Sequence, residues 1–248
     1  MLYKQTLEKL HALRLEGMAQ ALEEQRQQKD IGQLDFEERL GFLVERQVLW
    51  KDNRSLALRL KNAQFKIPNA ALEDLDYRPS RGLKRAQIEQ MRACQWVQAH
   101  RNCLVTGCAG TGKTYVACAL GHQACREGHR TYYYVAAKLF RGLESAQADG
   151  SLPSLFKRLA RAELLVVDDF GISGISGKVY RQFLEIIDDR HGSGATLITS
   201  QFPVDQWHEV IGDPTVADAI LDRLVHNAYR LELTGKSMRD PRNLPEKG

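Results

Sequence analysis

The stretch Gly107-Cys108-Ala109-Gly110-Thr111-Gly112-Lys113-Thr114 constrains this chain more than any other feature of its sequence. It matches the phosphate-binding loop pattern at every fixed position, between a predicted strand at residues 103–106 and a predicted helix at residues 115–125. Glycines let backbone N–H groups wrap a phosphate, and the start of the helix adds a positive dipole. We therefore predict a nucleotide site here in preference to a simple glycine-rich turn.

The loop also carries the side chains that this chemistry needs. Lys113 can reach the terminal phosphates of a nucleotide, and the Thr114 hydroxyl can bind Mg²⁺. The predicted cofactors are ATP and Mg²⁺. The residues predicted to contact the nucleotide are Gly107, Cys108, Ala109, Gly110, Thr111, Gly112, Lys113, Thr114 and Tyr115.

Two adjacent carboxylates follow an apolar strand predicted at residues 164–167. The first, Asp168, is placed to hold Mg²⁺ through water, and the second, Asp169, would then orient the attacking water. The alternative is that one or both side chains cap the next helix, a role that Asp often fills. The pair therefore predicts a hydrolytic site, with Asp169 catalytic and with Thr114 and Asp168 on the metal.

Short β-branched or apolar runs alternate with helical segments after Trp96. This alternation is typical of a parallel sheet with crossover helices. We therefore predict a three-layer α/β domain with a five-stranded parallel sheet. The predicted strands are residues 103–106, 131–135, 164–167, 196–199 and 229–233.

The first 66 residues show no convincing strand, and their apolar residues recur at helical spacing. Asp35 is a candidate N-cap, with acidic residues following it in the first turn of a helix. Residues 67–85 show no regular periodicity and contain Pro79 and Gly82, which disfavour helices and strands. The predicted segments are a small all-helical domain at 1–66, a linker at 67–85, and an α/β domain with a short C-terminal tail at 86–248.

Composition argues against a membrane protein and against a disulfide or zinc framework. No run approaches the roughly 20 apolar residues that span a bilayer, and the N-terminus lacks a signal-peptide stretch. The five cysteines show no Cys-x-x-Cys spacing. We expect a cytoplasmic protein with reduced thiols.

Further motifs occur in an order that resembles one clade of AAA+ proteins, the clade of DnaC-type helicase loaders and IstB-type transposition helpers. IstB is the closer resemblance, over nearly the whole chain. The residues that carry it, besides the loop, are Leu15-Glu16-Gly17-Met18-Ala19, Asp168-Asp169-Phe170-Gly171, Asp189-Arg190, Thr199-Ser200-Gln201-Phe202-Pro203, Ala219-Ile220-Leu221-Asp222-Arg223-Leu224 and Gly235-Lys236-Ser237-Met238-Arg239.

The resemblance implies an ATPase that oligomerises on target DNA, with ATP sites between subunits, and that recruits and activates a partner transposase. The alternatives are a replicative helicase loader of the same fold, a small-molecule P-loop kinase, and a nucleotide-binding scaffold that scarcely hydrolyses ATP. A helical N-terminal domain would then serve DNA or partner binding and oligomerisation.

The resemblance also implies four further catalytic residues. Ser200 and Gln201 would sense the γ-phosphate, although many relatives carry Asn where Gln201 stands and a strand-end turn is the alternative. Arg223 would act as an arginine finger in the neighbouring subunit's site, or else pair structurally with Asp218 or Asp222. Arg239 would be a second sensor or a solvated tail charge, with the lid subdomain truncated or absent because the sequence ends nine residues later.

The region from residue 39 to residue 66 has a local charge excess, with seven basic residues against the two acids Glu45 and Asp52. Such a cluster favours phosphate backbones, and the absence of zinc-finger or homeodomain signatures points to largely sequence-independent duplex DNA binding. A solvated helix face is the alternative. The basic residues are Arg39, Arg46, Lys51, Arg54, Arg59, Lys61 and Lys66.

Overall fold

A computed structural model describes residues 2–28, 30–172 and 177–243 of the chain. The chain divides into two compact units, with the boundary between Leu58 and Arg59.

The first unit is helical. It contains α1 (Leu2–Ala12), α2 (Glu16–Gln27) and most of α3 (Phe36–Ala63), whose last five residues belong to the second unit. Gly17 allows α2 to approach α3 closely, because a Cβ at this position would lie 2.7 Å from the backbone oxygen of Arg46. The helical reading of this region is confirmed.

The start of α3 has the cap expected from the sequence. The Asp35 carboxylate accepts a 2.8 Å hydrogen bond from the Glu38 N–H, and the Glu38 carboxylate accepts one of 3.0 Å from the Asp35 N–H. This reciprocal capping box satisfies two backbone donors that the helix itself leaves unpaired. The apolar Phe36 and Leu40 that follow are nevertheless exposed.

The second unit is built on a parallel sheet with strand order β2-β3-β4-β1-β5. The predicted five-stranded parallel sheet is therefore confirmed: β2 and β5 have the expected bounds, and the ends of the other three strands differ from theirs by at most three residues. The strands are β1 (Cys103–Gly107), β2 (Thr131–Val135), β3 (Leu164–Phe170), β4 (Ala195–Ser200) and β5 (Tyr229–Leu233).

Helices cover both faces of this sheet. Leu165 and Val167 of β3 pack into one apolar layer with the helices that follow β2, β3 and β4, whereas the alternate face of the sheet meets the helix that follows β1. The helices are α4 (Arg85–Arg92), α5 (Gln95–Gln98), α6 (Lys113–Arg126), α7 (Ala136–Asp149), α8 (Leu152–Ala160), α9 (Gly177–Arg190), α10 (Trp207–Ile211) and α11 (Pro214–Val225).

Residues 67–85, expected from their irregularity to be a linker, belong to the second unit and pack within it. Leu72 and Leu83 are buried, and short 3-10 turns occupy Leu72–Asp74 and Pro79–Arg81. The buried Arg81 guanidinium donates to the backbone oxygens of Thr111 and Lys236. Lack of regular secondary structure here does not mean lack of packing, because scattered apolar residues anchor the segment.

The cysteines are free thiols, as expected. Cys108 is exposed and the other four are buried. Burial raises the pKa of Cys118 to about 11, so its thiolate is strongly disfavoured. Among the helices of the described ranges, we find none with the length and apolar character needed to cross a membrane.

Candidate nucleotide-binding site

The phosphate-binding loop joins β1 to α6 with a backbone that requires glycine. Gly107, Gly110 and Gly112 have φ values of 146°, 80° and 94°, in the region that L side chains rarely adopt. A Cβ at Gly107 would also lie 2.2 Å from the backbone oxygen of Leu233. The loop therefore exposes backbone N–H groups at the start of a 14-residue helix, an arrangement that binds anions.

Lys113 is folded into the loop. Its ammonium donates to the backbone oxygens of Gly107, at 2.7 Å, and Cys108, at 2.8 Å. Burial lowers the pKa of Lys113, while the nearby Asp169 and Asp168 act in the opposite direction. The ammonium thus lies inside the concavity where the phosphates of a nucleotide would replace the two carbonyl oxygens as its partners.

Asp168 is fully buried, and three hydroxyl groups hold its carboxylate. Thr114 donates at 2.9 Å, Tyr133 at 2.6 Å and Thr199 at 2.5 Å. Burial, followed by the bond to Asp168, raises the pKa of Tyr133 and keeps its hydroxyl a donor. Adjacent hydroxyl and carboxylate oxygens from Thr114 and Asp168 are the hard ligands that Mg²⁺ prefers, so these residues fit the ion.

Asp169 stands on an unusual backbone. Its φ is 61°, and the pairing of β3 with β4 shifts register between Val167 and Phe170. The Asp169 N–H donates to the Thr199 hydroxyl at 2.9 Å. A non-glycine residue in this region costs free energy, and such residues cluster at active sites and switch regions. The alternative, in which Asp168 or Asp169 caps the next helix, depends on residues 173–176, and these lie outside the described residues.

Ser200 and Gln201 differ from each other in surroundings. The buried Ser200 hydroxyl donates to the backbone oxygen of Phe170 at 2.9 Å and accepts from the Phe202 N–H at 3.1 Å. This geometry matches the strand-end turn alternative. Gln201 is exposed and lines a cavity of about 490 Å³ together with Cys108 of the loop. Thr199, which was not predicted as a site residue, is the β4 residue whose hydroxyl donates to the Asp168 carboxylate and accepts from the Asp169 N–H.

Arg223 lies far from its own phosphate loop. It lines a cavity of about 390 Å³ with Asn102 and Thr196, residues at the edge where the parallel strands begin, whereas the loop follows the opposite end of β1. Its guanidinium pairs with Asp188 and donates to the backbone oxygen of Ala219 at 2.9 Å. Its acidic partner is thus Asp188 and not Asp218 or Asp222.

The tail after β5 covers the chain's own phosphate loop. The Met238 N–H donates to the backbone oxygen of Gly110 at 2.8 Å, and a Cβ at Gly110 would collide with Ser237. Arg239 is exposed and close enough for its charge to help lower the pKa of Lys113. The structure therefore places Arg239 beside the site of its own chain.

A largely apolar cavity of about 340 Å³ adjoins the loop at Thr111 and Gly112, and its volume and lining are those of a small-molecule pocket. The residues from 67–85 that line it were not singled out from the sequence, because nothing in an irregular segment signals a pocket. The apolar and aromatic lining residues are Leu75, Leu83, Tyr115, Val116, Leu233 and Met238.

The seven basic residues between positions 39 and 66 do not form one uniform surface. Arg46 pairs with Glu24 at 2.8 Å, and Arg39 is half-buried. Arg59 donates to the backbone oxygen of Cys125 at 2.8 Å, which satisfies a carbonyl in the last turn of α6. These three guanidinium groups are engaged or partly covered within the chain.

Three of the remaining basic side chains are exposed and form no ion pair within the part of the chain that the structure describes. They are Lys51, Arg54 and Lys61, all on α3, with Arg54 lying over the Trp50 ring at 5.0 Å. The seventh, Lys66, lies 3.7 Å from Asp169.

A family model described as IstB-like ATP binding protein matches residues 8–244 of the chain. An insertion sequence ATP-binding protein of Sinorhizobium fredii, y4pL, is 44% identical over 239 residues, which cover 96% of this chain and 97% of that protein. The IS1162 ATP-binding protein of Pseudomonas fluorescens is 42% identical over 203 residues, covering 82% and 88% of the two chains.

Solved structures show the same fold at lower identity. The crystal structure of DnaI superposes with a TM-score of 0.57 at 22% identity, over 67% of this chain and 92% of that chain. The DnaC helicase loader gives 0.53 at 19% identity, over 67% and 97%. The likeness covers the α/β architecture that carries the phosphate loop.

Proposed function

The chain belongs to the family of IstB-like ATP binding proteins, and from this we propose that it is a Mg²⁺-dependent ATPase that assembles on duplex DNA to recruit and activate a transposase. The observation that carries the proposal is the convergence of Lys113, Thr114, Asp168 and Asp169 at the ends of β1 and β3. Names of relatives that refer to insertion sequences support transposition over helicase loading.

Binding of ATP uses groups that the fold has already positioned. The loop N–H groups and the α6 dipole receive the phosphates, and Lys113 exchanges its two carbonyl partners for phosphate oxygens. The base enters the apolar cavity beside Gly112. Moving the Lys113 ammonium away from the two carbonyl oxygens costs little free energy, because the charged phosphate oxygens are stronger hydrogen-bond acceptors.

Thr114 and Asp168 would hold Mg²⁺, which when bound neutralises charge on the phosphates. The Tyr133 and Thr199 hydroxyls would keep the Asp168 carboxylate oriented, and the Thr114 hydroxyl oxygen would be the second protein group offered to the ion. Such supporting hydrogen bonds keep a ligand in place before the ion arrives.

Hydrolysis is assigned to Asp169, whose carboxylate orients the attacking water and accepts its proton. The fixed backbone at Asp169, tied to Thr199, sets the direction of the carboxylate. Gln201 is the exposed polar residue at the end of β4 and replaces Ser200 as the candidate sensor of the γ-phosphate. General-base assistance by a carboxylate such as that of Asp169 contributes about 10²- to 10⁴-fold in rate.

The position of Arg223 favours an oligomer. Because Arg223 lies at the opposite edge of the sheet from its own loop, it can serve a γ-phosphate only in a neighbouring subunit. If the Arg223 guanidinium exchanged Asp188 for the γ-phosphate of the neighbouring subunit, it would complete that subunit's site. Such an arginine accelerates hydrolysis by a factor on the order of 10³ to 10⁵.

DNA binding is assigned first to Lys51 and Arg54, the exposed cations of α3 in the first unit, with Lys61 of the second unit as a separate candidate contact. One subunit offers few phosphate contacts, so its affinity is low and salt-sensitive. An ATP-dependent assembly sums these contacts along one duplex and gains avidity.

The experiment measures the binding of a fluorescein-labelled duplex by anisotropy, with and without a non-hydrolysable ATP analogue. The analogue should tighten DNA binding, and DNA should tighten analogue binding by the same factor. Lys113→Ala cannot hold the nucleotide, so it should bind DNA with the same low affinity whether or not the analogue is present. Equal DNA affinity with and without the analogue, in wild type that binds the analogue, would refute the coupling.

A further inference from the structure

The segment that follows α3 is anchored next to the catalytic carboxylate. Helix α3 ends at Ala63, and Gln64 has a φ of 56°, in the left-handed region that terminates helices. Phe65 is then buried, with its ring 4.5 Å from the His122 ring and 6.1 Å from the Tyr133 ring.

Gly121 of α6 receives the Phe65 ring. A Cβ at Gly121 would lie 2.4 Å from that ring, so the helix surface has room for Phe65 only because this residue is glycine. The residue after Phe65 therefore has a defined position relative to α6 and β3.

That residue is Lys66, whose ammonium lies 3.7 Å from the Asp169 carboxylate. No other ion pair to Asp169 occurs across residues 2–28, 30–172 and 177–243. The side chains are 51% and 28% exposed, so this pair is weak and can be broken at little cost.

The pair opposes the chemistry assigned to Asp169. A carboxylate drawn towards an ammonium 3.7 Å away, beyond hydrogen-bond distance, is less available to a water molecule, and Asp169 must turn to the water during hydrolysis. Its backbone is fixed by Thr199, so the choice between Lys66 and water is made by side-chain rotation.

We propose that Lys66 is a positioning residue that restrains the Asp169 carboxylate in the resting chain, so that ATP hydrolysis requires the release of this pair. This inference rests on the proposed role of Asp169 in hydrolysis. Lys66 thus acts on the catalytic step through Asp169, in place of the DNA contact expected from its charge alone.

The test compares steady-state ATP hydrolysis by wild type, Lys66→Met, Lys66→Arg and the matched control Lys157→Met. Lys157 is an exposed lysine of α8 with no ion pair in the described part of the chain. Lys66→Met should raise kcat by up to about fivefold, the size expected for loss of a partly exposed ion pair. The KM for ATP should stay unchanged, and Lys66→Arg and Lys157→Met should match wild type.

The double variant Lys66→Met with Asp169→Asn tests whether Lys66 acts through the Asp169 carboxylate or affects hydrolysis in some other way. It should hydrolyse ATP no faster than Asp169→Asn alone, because the gain acts through the carboxylate. An unchanged or lower kcat for Lys66→Met would overturn the inference, with the proposed function intact if Asp169→Asn is still inactive. Full activity of Asp169→Asn would instead overturn the role of Asp169 itself.

Discussion

The hydroxyl of Tyr133 donates a 2.6 Å hydrogen bond to the buried carboxylate of Asp168, and so links β2 to the proposed metal-binding end of β3. The two residues are 35 positions apart in the sequence, and the register of β2 and β3 pairs Val135 with Asp168. The Thr114 hydroxyl donates to the same carboxylate oxygen at 2.9 Å, so Tyr133 and Thr114 share one acceptor, Oδ2 of Asp168.

Tyr133→Phe should destabilise the protein and weaken its response to Mg²⁺. The loss of a hydrogen bond to a charged, buried acceptor costs about 1–2 kcal/mol, since two hydroxyls remain. Urea unfolding should report the stability change, and the Mg²⁺ concentration for half-maximal ATPase activity should rise. Tyr134→Phe, whose hydroxyl does not reach Asp168, serves as control. Equal effects of both substitutions would contradict a specific supporting role for Tyr133.

Arg223→Ala should abolish most ATP hydrolysis while leaving ATP binding intact. Mixing equal amounts of Arg223→Ala and Asp169→Asn subunits should restore part of the activity, because some junctions then contain both side chains. Asp188→Asn is the matched control, since it breaks the ion pair of Arg223 but keeps the guanidinium. If Asp188→Asn loses as much activity as Arg223→Ala, the arginine is structural.

Charge reversal at Lys51 and Arg54 should weaken duplex binding for every DNA sequence and reduce the salt slope by roughly one for each lost phosphate contact. The matched control reverses Lys4 and Lys9, two exposed lysines of α1 in the same unit. Both double variants change net charge equally, so anisotropy titrations at several salt concentrations separate a local contact from general attraction. Identical behaviour of the two variants would identify the α3 cations as a solvated face.

His122 should make stability depend on pH. Burial, with Arg126 nearby, lowers the pKa of His122 below its ordinary value of 6.5. The unfolded chain therefore binds a proton that the native chain resists, and stability falls as pH drops below about 6.5. The urea concentration at the midpoint of unfolding should fall less between pH 7.5 and pH 5.5 in His122→Asn than in wild type. An equal loss would show that other groups carry the dependence.

The parallel sheet and the phosphate loop could be predicted from the sequence because their determinants are local. Apolar runs bounded by turns mark the strands, and the glycines of the loop stand at positions where their φ values require glycine. The capping box at Asp35 and Glu38 is also a short-range pattern, and the structure contains it.

The support around Asp168 could not be predicted, because it depends on strand register. Tyr133 and Thr199 come from strands on either side of β3, and only the pairing of the strands brings their hydroxyls to the same carboxylate. A tyrosine or threonine in a strand carries no local signal of such a contact. Thr199 was therefore missed although its neighbour Ser200 was singled out.

A count of charges along the sequence likewise does not show which cations the fold leaves exposed. Arg59 and Lys66 contribute to the basic cluster in the sequence, yet the fold places one on a backbone oxygen of α6 and the other beside Asp169. Irregular sequence likewise concealed packing, since Arg81 connects the phosphate loop to the tail through two backbone oxygens.

The most direct test of the account compares Lys113→Ala with Asp169→Asn for binding of a fluorescent ATP analogue and for ATP turnover in the presence of Mg²⁺ and duplex DNA. Lys113→Ala should lose most nucleotide affinity, because the ammonium binds the phosphates. Asp169→Asn should bind the analogue like wild type and turn over ATP about 100-fold more slowly or worse, because the carboxylate acts only on the water. Equal loss of binding in both variants, or full turnover by Asp169→Asn, would contradict the assignment of this site as a hydrolytic centre.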